Sequence, residues 1–184
     1  GELVKTAAGV ITLTGANTFT GGLTVSAGGV TMGSGVGAAT GTLADTLDVT
    51  VASGANFTAH VVDTIRSLSN SGTVLITSDY TVSGAVTNAA GASLTVSDGK
   101  AATVGTLVNS GTATFGGTLL ANGVLGDPAG VAILNQVGGV VNLKGNVTVA
   151  GGTPSADRRF RNLGTVNVLN SLQIHTLGYE GSGN

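Results

Sequence analysis

Short runs in which apolar and small polar residues alternate recur along this chain. Examples are Val74-Leu75-Ile76-Thr77, Ser93-Leu94-Thr95-Val96 and Val166-Asn167-Val168. Alternation with a period of two is the pattern of a half-buried β-strand, and Val, Ile and Thr suit its pleated surface. Each run ends close to Gly, Asn or Ser, and frequent Gly disfavours helix. The pattern therefore predicts an all-β chain built from short strands.

One asparagine context is repeated, with an apolar residue two positions before the Asn and a glycine turn after it. Successive copies are separated by 18, 21, 26 and 27 residues. A shared minimum with a variable excess is typical of a solenoid in which some coils carry extra loops. We place the excess at Leu120 to Val131 and at Gly151 to Arg159, each of which contains a proline. The repeated positions are Asn70, Asn88, Asn109, Asn135 and Asn162.

These asparagines are interpreted as structural turn positions. Asn tolerates the left-handed turn conformation and bonds its local backbone. Stacked at one corner, its side chains can also bond to each other as a ladder. The alternative is that Asn and Gly mark independent hairpin turns, as in a β-sandwich. With about 20 residues per coil and strands about 4.8 Å apart, a solenoid would have roughly eight or nine coils and a length of roughly 40 Å.

The composition narrows the class of protein. Hydrophobic residues make up 41%, charged residues 9%, the net charge is −2 and the mean hydropathy is +0.41, which is unlike a disordered chain. Seven Lys and Arg are too few to follow a nucleic-acid backbone. No apolar run reaches the roughly 18–20 residues of a membrane span, and the absence of Cys excludes disulfides and thiolate metal sites. We expect one domain over residues 1–184.

The segment 3–32 carries the most specific motif, and its residues 9–30 read GVITLTGANTFTGGLTVSAGGV. This segment closely resembles the passenger-associated transport repeat of bacterial autotransporters. Phe19 stands where that family usually has Tyr, Leu23 where it has Thr, and Val30 where it has Leu. The resemblance implies a right-handed, single-stranded parallel β-helix, with a C-terminal outer-membrane barrel elsewhere in a longer passenger protein. It also implies export across the outer membrane to the bacterial cell surface.

Candidate chemistry is sparse. His60 and His175 have no neighbouring ligand residues, so neither a metal nor another cofactor is predicted. Asp45 and Asp48 have an odd spacing that would put them on opposite faces of a strand, which disfavours a paired-carboxylate site. The segment Gly33-Ser34-Gly35-Val36-Gly37 lacks the lysine of a phosphate-binding loop and is interpreted as a flexible loop.

Two segments are candidate contact regions. Asp157-Arg158-Arg159-Phe160-Arg161 falls on a predicted loop and its edge, so Arg158, Arg159 and Arg161 form a candidate partner-binding loop for an anionic glycan or a partner chain. The alternative is a solvated loop that keeps a weakly charged rod soluble. The second candidate is a protruding segment from Phe57 to Arg66.

These observations predict a non-enzymatic structural or adhesive stalk, secreted or displayed on the cell surface. Its partners would be a host or bacterial surface receptor, or sister chains that meet at the open ends of the β-helix. The alternative function is a self-assembling subunit of an extracellular fibre. A weaker alternative is a carbohydrate-active enzyme on a β-helical scaffold, for which the sequence shows no residue cluster.

Overall fold

The computed structural model describes residues 1–123, 130–149, 159–170, 174–175 and 178–181, and these residues contain no helix. They form short strands separated by turns that are rich in glycine. In chain order the strands are β1 Leu3–Lys5, β2 Val10–Leu13, β3 Leu23–Val25, β4 Gly29–Met32, β5 Asp48–Val51, β6 Asn56–Ala59, β7 Asp63–Ile65, β8 Ser67–Asn70, β9 Thr73–Ile76, β10 Tyr80–Asn88, β11 Ser93–Val96, β12 Ala102–Asn109, β13 Thr112–Phe115, β14 Leu119–Ala121, β15 Val131–Asn135, β16 Val140–Leu143, β17 Val147–Val149, β18 Arg159–Asn162, β19 Thr165–Val168, β20 Ile174–His175 and β21 Gly178–Gly181.

The strands lie in two sheets, and every strand pair in the described residues is parallel. Sheet 1 has 13 strands and includes the path β1-β3-β5-β8-β10-β12-β14-β17-β20. Sheet 2 has eight strands in the order β2-β4-β6-β9-β11-β13-β16-β19. Neighbours in each sheet are separated in the chain by a strand of the other sheet, which is a solenoid-like arrangement. The hairpin and β-sandwich alternative is therefore wrong, because hairpins produce antiparallel pairs.

Two long strands join two ladders within sheet 1. The first residues of β10 pair with β7, and its last residues pair with β8. The strand β12 does the same with β14 and β15. A register shift between Val82 and Ala85 separates the two halves of the β10–β12 pair. From β5 onwards, each complete pass of the chain thus contributes two short segments to sheet 1 and one to sheet 2, whereas β1 and β3 are single segments.

The core lies between the sheets and consists of the inward side chains of successive strands. In sheet 2, Val30, Phe57 and Val74 are register partners on β4, β6 and β9, and all three are buried. Because the strands are parallel and in register, equivalent apolar positions stack on each other. The described residues thus form one continuous hydrophobic cluster.

From β5 onwards, the turns that lead from sheet 1 to sheet 2 alternate in length. They span residues 52–55, 71–72, 89–92, 110–111, 136–139 and 163–164, so that turns of four and two residues follow each other. In one long turn, Gly91 has a φ of 79°, which favours glycine. In the next short turn, a Cβ on Gly111 would lie 2.4 Å from the carbonyl oxygens of Ala89 and Ala92. The short turns fit tightly against the long ones, and the alternation contributes to the variable spacing of the repeated Asn.

The structure corrects one sequence interpretation. The segment from Phe57 to Arg66 does not protrude as a whole, because its first and later parts lie on β6 and β7, and Phe57 is only 1% exposed. Apolar alternation within this segment reflects two core-facing strands and not a contact loop. Phe19, in the transport-repeat-like segment, is half-buried and packs against the core.

The two predicted loops are described only in part. Residues 119–121 form β14 and Val131 begins β15, so that strands enter both ends of the first loop. Residues 124–129 lie outside the described residues. In the second loop, residues 150–158 lie outside the described residues, and Arg159 begins β18.

Candidate functional site

The five repeated asparagines form one buried ladder of side-chain hydrogen bonds. Nδ2 of Asn70 donates to Oδ1 of Asn88 at 2.8 Å, and the same 2.8 Å bond joins Asn88 to Asn109, Asn109 to Asn135 and Asn135 to Asn162. Each of these residues is at most 1% exposed. Each is the last residue of its strand in sheet 1, and the parallel register places the five on top of each other.

The second amide proton of each rung is also used. Nδ2 of Asn70 donates to the carbonyl oxygen of Ser93 at 2.9 Å, and Nδ2 of Asn88 donates to that of Thr112 at 3.1 Å. Asn109 and Asn135 repeat this contact with the first residues of β16 and β19. Buried amides are stabilising only when their donors and acceptors are satisfied, and this network meets that condition. The ladder thus fastens the end of each sheet 1 strand to the start of a sheet 2 strand.

The ladder begins at Asn70. Towards the start of the chain, the same register position is held by Val51, then Val25, then Lys5. Lys5 is only 9% exposed, and its Nζ donates to the carbonyl oxygens of Ala7 and Ala27. At this corner of the fold, the apolar residues Val25 and Val51 therefore lie between Lys5 and the first asparagine of the ladder.

The expectation that these asparagines adopt the left-handed turn conformation is wrong. No non-glycine residue in the described part of the chain has a positive φ. The asparagines end strands in an extended conformation, and glycines such as Gly91 and Gly138 supply the left-handed turn residues. Asn is selected here for an amide that both donates and accepts within the interior.

The candidate partner-binding residues Arg158, Arg159 and Arg161 do not all belong to a loop. Arg159 and Arg161 lie on β18, where their neighbours are Val131 and Leu134 on β15 and Gly178 and Glu180 on β21. Arg161 is half-buried, whereas Arg158 lies outside the described residues. Phe160, the residue before Arg161, is buried.

A charged group that no sequence pattern indicates links β5 to the residues at the start of β8. Arg66 donates from Nε to Oδ1 of Asp48 at 2.7 Å and also contacts its Oδ2 through a second nitrogen. The hydroxyl of Ser67 donates to the same Oδ1 at 2.6 Å. These hydrogen bonds lower the pKa of Asp48 to about 2, with the hydrogen bond from Arg66 as the main cause. Asp45, the other residue of the paired-carboxylate site considered from the sequence, lies in an exposed turn.

Asp63 and Tyr80 are buried neighbours away from the ladder. Asp63 is 7% exposed and accepts hydrogen bonds from the backbone N–H groups of Leu43 and Thr64, both at 2.9 Å. Burial raises the pKa of Asp63, although both hydrogen bonds act in the other direction. Its register neighbour Tyr80 is 3% exposed, and the Tyr80 hydroxyl has no hydrogen-bond partner among the described residues. Burial also raises the pKa of Tyr80, with a smaller contribution from Asp63.

The remaining candidates do not converge. His60 Nδ1 lies 2.7 Å from the Thr77 hydroxyl, and His175 lies on β20 beside Thr148. No group of three His, Cys, Asp or Glu in the described residues is placed to hold a metal ion. In the segment from Gly33 to Gly37, the N–H groups of Gly33 and Gly37 donate to the backbone carbonyls of Leu13 and His60, so these two groups are not free to bind a phosphate. The hydrogen bonds described above stabilise the two sheets, and within the described residues they bring no reactive groups together.

Comparison with known protein families, with characterised proteins and with solved structures gives no match to this chain. The described residues include no helix with the length and apolarity needed to cross a membrane.

Proposed function

We propose that this chain is a structural stalk of a bacterial autotransporter passenger, built as a right-handed, single-stranded parallel β-helix of eight or nine coils. In this proposal, the stalk is secreted or displayed on the cell surface and holds an adhesive surface away from the outer membrane. The family assignment rests on the resemblance of the segment 3–32 to the transport repeat. The fold assignment is supported by two sheets of parallel strands in a solenoid-like order.

The single observation that best supports a structural role is the Asn ladder from Asn70 to Asn162. It extends along the stack and joins both sheets, so it resists separation of neighbouring coils. A buried polar network of this kind specifies register, because a coil shifted by one residue would turn the amide out of the interior. Mechanical continuity is what a stalk requires.

The surface assignment can be tested on intact cells that express the parent gene. Brief treatment with an external protease, followed by mass spectrometry, is expected to release peptides from residues 1–184 without cell lysis. A cytoplasmic protein serves as the lysis control. Recovery of these peptides only after lysis would contradict the proposal.

The stalk shape has its own test. A stalk is expected to give an elongated particle in small-angle X-ray scattering, and a compact particle would contradict it.

The adhesive part of the proposal has a separate test. A parent protein with this segment deleted is compared with the intact protein for attachment to host cells, matrix and sister bacteria. Loss of attachment with normal surface display supports an adhesive contribution from this segment. Normal attachment overturns that contribution.

A second candidate function is a subunit of an extracellular fibre. It is favoured by the parallel stacking of strands in both sheets, since coils of another chain could add to such sheets through the same backbone hydrogen bonds. Light scattering over a range of concentrations tests this function. Growth of end-to-end particles with concentration supports it, and a constant monomer mass contradicts it.

A further inference from the structure

The outer face of sheet 2 is the most regular surface of the described chain. Each of its eight strands contributes four residues, and the seven strand pairs contain no register shift. The first and third residues of every strand point outward. These outward residues line up in two straight rows across the sheet. One row runs Val10, Gly29, Asn56, Thr73, Ser93, Thr112, Val140, Thr165, and the other runs Thr12, Thr31, Thr58, Leu75, Thr95, Thr114, Asn142, Asn167.

These rows are neutral and rich in threonine. Eight of the sixteen positions are threonine, and none of the sixteen is charged. Thr31, Thr58 and Thr95 are half-buried, and their hydroxyls make no hydrogen bond to the described part of the protein. Charges are found elsewhere, as in the Asp48–Arg66 pair on sheet 1. The face is thus a neutral array in which threonine hydroxyl and methyl groups are interspersed with asparagine and aliphatic side chains, and the Thr114 hydroxyl accepts a hydrogen bond from Nδ2 of Asn142 at 3.1 Å.

The dimensions of the array follow from strand geometry. Neighbouring threonines in a row are about 4.8 Å apart, and the two rows are about 6.6 Å apart. Eight strands give rows of about 34 Å, and four residues give a width of about 13 Å. The partner of such a face should be neutral, flat and periodic in two directions.

A second copy of the chain fits this face poorly. The face carries only three aliphatic side chains at its outward positions, those of Val10, Leu75 and Val140. It also lacks the aromatic and Arg side chains that supply most binding energy in protein interfaces. Burying threonine hydroxyls against an imperfectly matched protein would leave polar groups unsatisfied. Ordered water avoids this cost, because water can accept from and donate to each hydroxyl while enclosing the methyl groups.

We propose that the outer face of sheet 2 binds the surface of ice. Threonine hydroxyls take part in the ordered water layer, and the methyl beside each hydroxyl holds that layer at a fixed distance. The repeat of the parallel sheet extends this match over many positions, so that weak individual contacts add up. Charged groups would disorder the layer by binding water strongly, which fits their absence from the rows.

The test measures ice recrystallisation and thermal hysteresis with the purified chain. The key variant combines Thr58→Lys with Thr95→Lys on the outer face of sheet 2. The matched control combines Thr50→Lys with Thr87→Lys, which are exposed outward positions of sheet 1. We expect the unmodified chain and the sheet 1 control to slow ice growth, and the sheet 2 variant to lose this effect. Circular dichroism establishes that all three proteins remain folded.

Three results would overturn the inference. The first is a folded, unmodified chain that leaves ice growth unchanged. The second is an equal loss in the sheet 1 and sheet 2 variants. The third is concentration-dependent self-association that the sheet 2 lysines abolish without any effect on ice, since that result identifies a second copy as the partner.

Discussion

Lys144 donates a hydrogen bond from Nζ to Oδ1 of Asp98 at 2.8 Å, across 46 residues of sequence. Lys144 follows β16 and Asp98 comes shortly after β11, and the intervening strand is β13. At this corner the β13 pass carries Gly116, where a Cβ would lie 2.4 Å from the backbone nitrogen of Asp98. The Lys144 side chain can therefore extend across the β13 pass to Asp98, because Gly116 has no side chain at this point.

We predict that Lys144→Met changes the free energy of unfolding by less than about 1 kcal/mol, because exposed ion pairs contribute little. The side chain of Asp98 is 76% exposed. Urea denaturation at low and high salt measures the effect, which should decrease as salt screens the charges. Lys100→Met is the control. A salt-independent loss of several kcal/mol would contradict this account.

Replacing Asn109 with leucine is expected to destabilise the fold by about 2–4 kcal/mol, since it leaves buried polar atoms of both neighbouring rungs without partners. The affected neighbours are Asn88 and Asn135. Denaturant unfolding measures the change. Asn56→Leu serves as the matched control, because Asn56 is exposed on the outer face of sheet 2. Similar effects of the two substitutions would show that the ladder is not the source of stability.

Tyr80→Phe should increase the free energy of unfolding by about 1 kcal/mol, because it removes a buried hydroxyl that has no partner among the described residues. The ring itself must remain, since it lines a small cavity together with Leu68 and Phe115. Tyr80→Ala is therefore expected to destabilise by about 3–5 kcal/mol. Thermal and denaturant unfolding compare the three proteins. A less stable Tyr80→Phe protein would contradict the assignment of that hydroxyl.

The pKa of Asp48 supplies a pH prediction. Because folding lowers this pKa from 3.8 to about 2, the carboxylate stabilises the fold above pH 3.8, and this contribution is lost as the pH falls through about 2. Arg66→Gln should move the pKa of Asp48 back towards 3.8. Carboxyl chemical shifts in an NMR titration measure it directly. An unchanged pKa in the variant would exclude Arg66 as the main cause.

Gly111→Ala is expected to destabilise the fold by about 1–3 kcal/mol, because the new Cβ would overlap the carbonyl oxygens of Ala89 and Ala92. Gly15→Ala is the control, since a Cβ there meets no atom within 4 Å and its φ is not positive. Thermal unfolding compares the two variants. Equal stability would mean that the short turn is not tightly packed against the long one.

Much of the fold could be predicted from local patterns. The run from Ser93 to Val96 coincides with β11, and the repeated Asn context marks the ends of five strands of sheet 1. Such features are visible because each coil meets the same requirement, an apolar interior with a turn at a fixed corner. The segment from Phe57 to Arg66 was interpreted wrongly because it lacks the repeated Asn, and its two strands give no distinct signal.

The sequence by itself determined the strand-rich class of the chain, the repeat and the identity of the five ladder residues, since these depend on composition and spacing. Only the tertiary structure decided that the Asn side chains point inward and that their backbone is extended and not left-handed. It also decided that Lys144 reaches Asp98 and that the threonines of sheet 2 form straight rows. The physical reason is register: parallel pairing brings together residues that are far apart in the chain, and no local pattern specifies which of them meet.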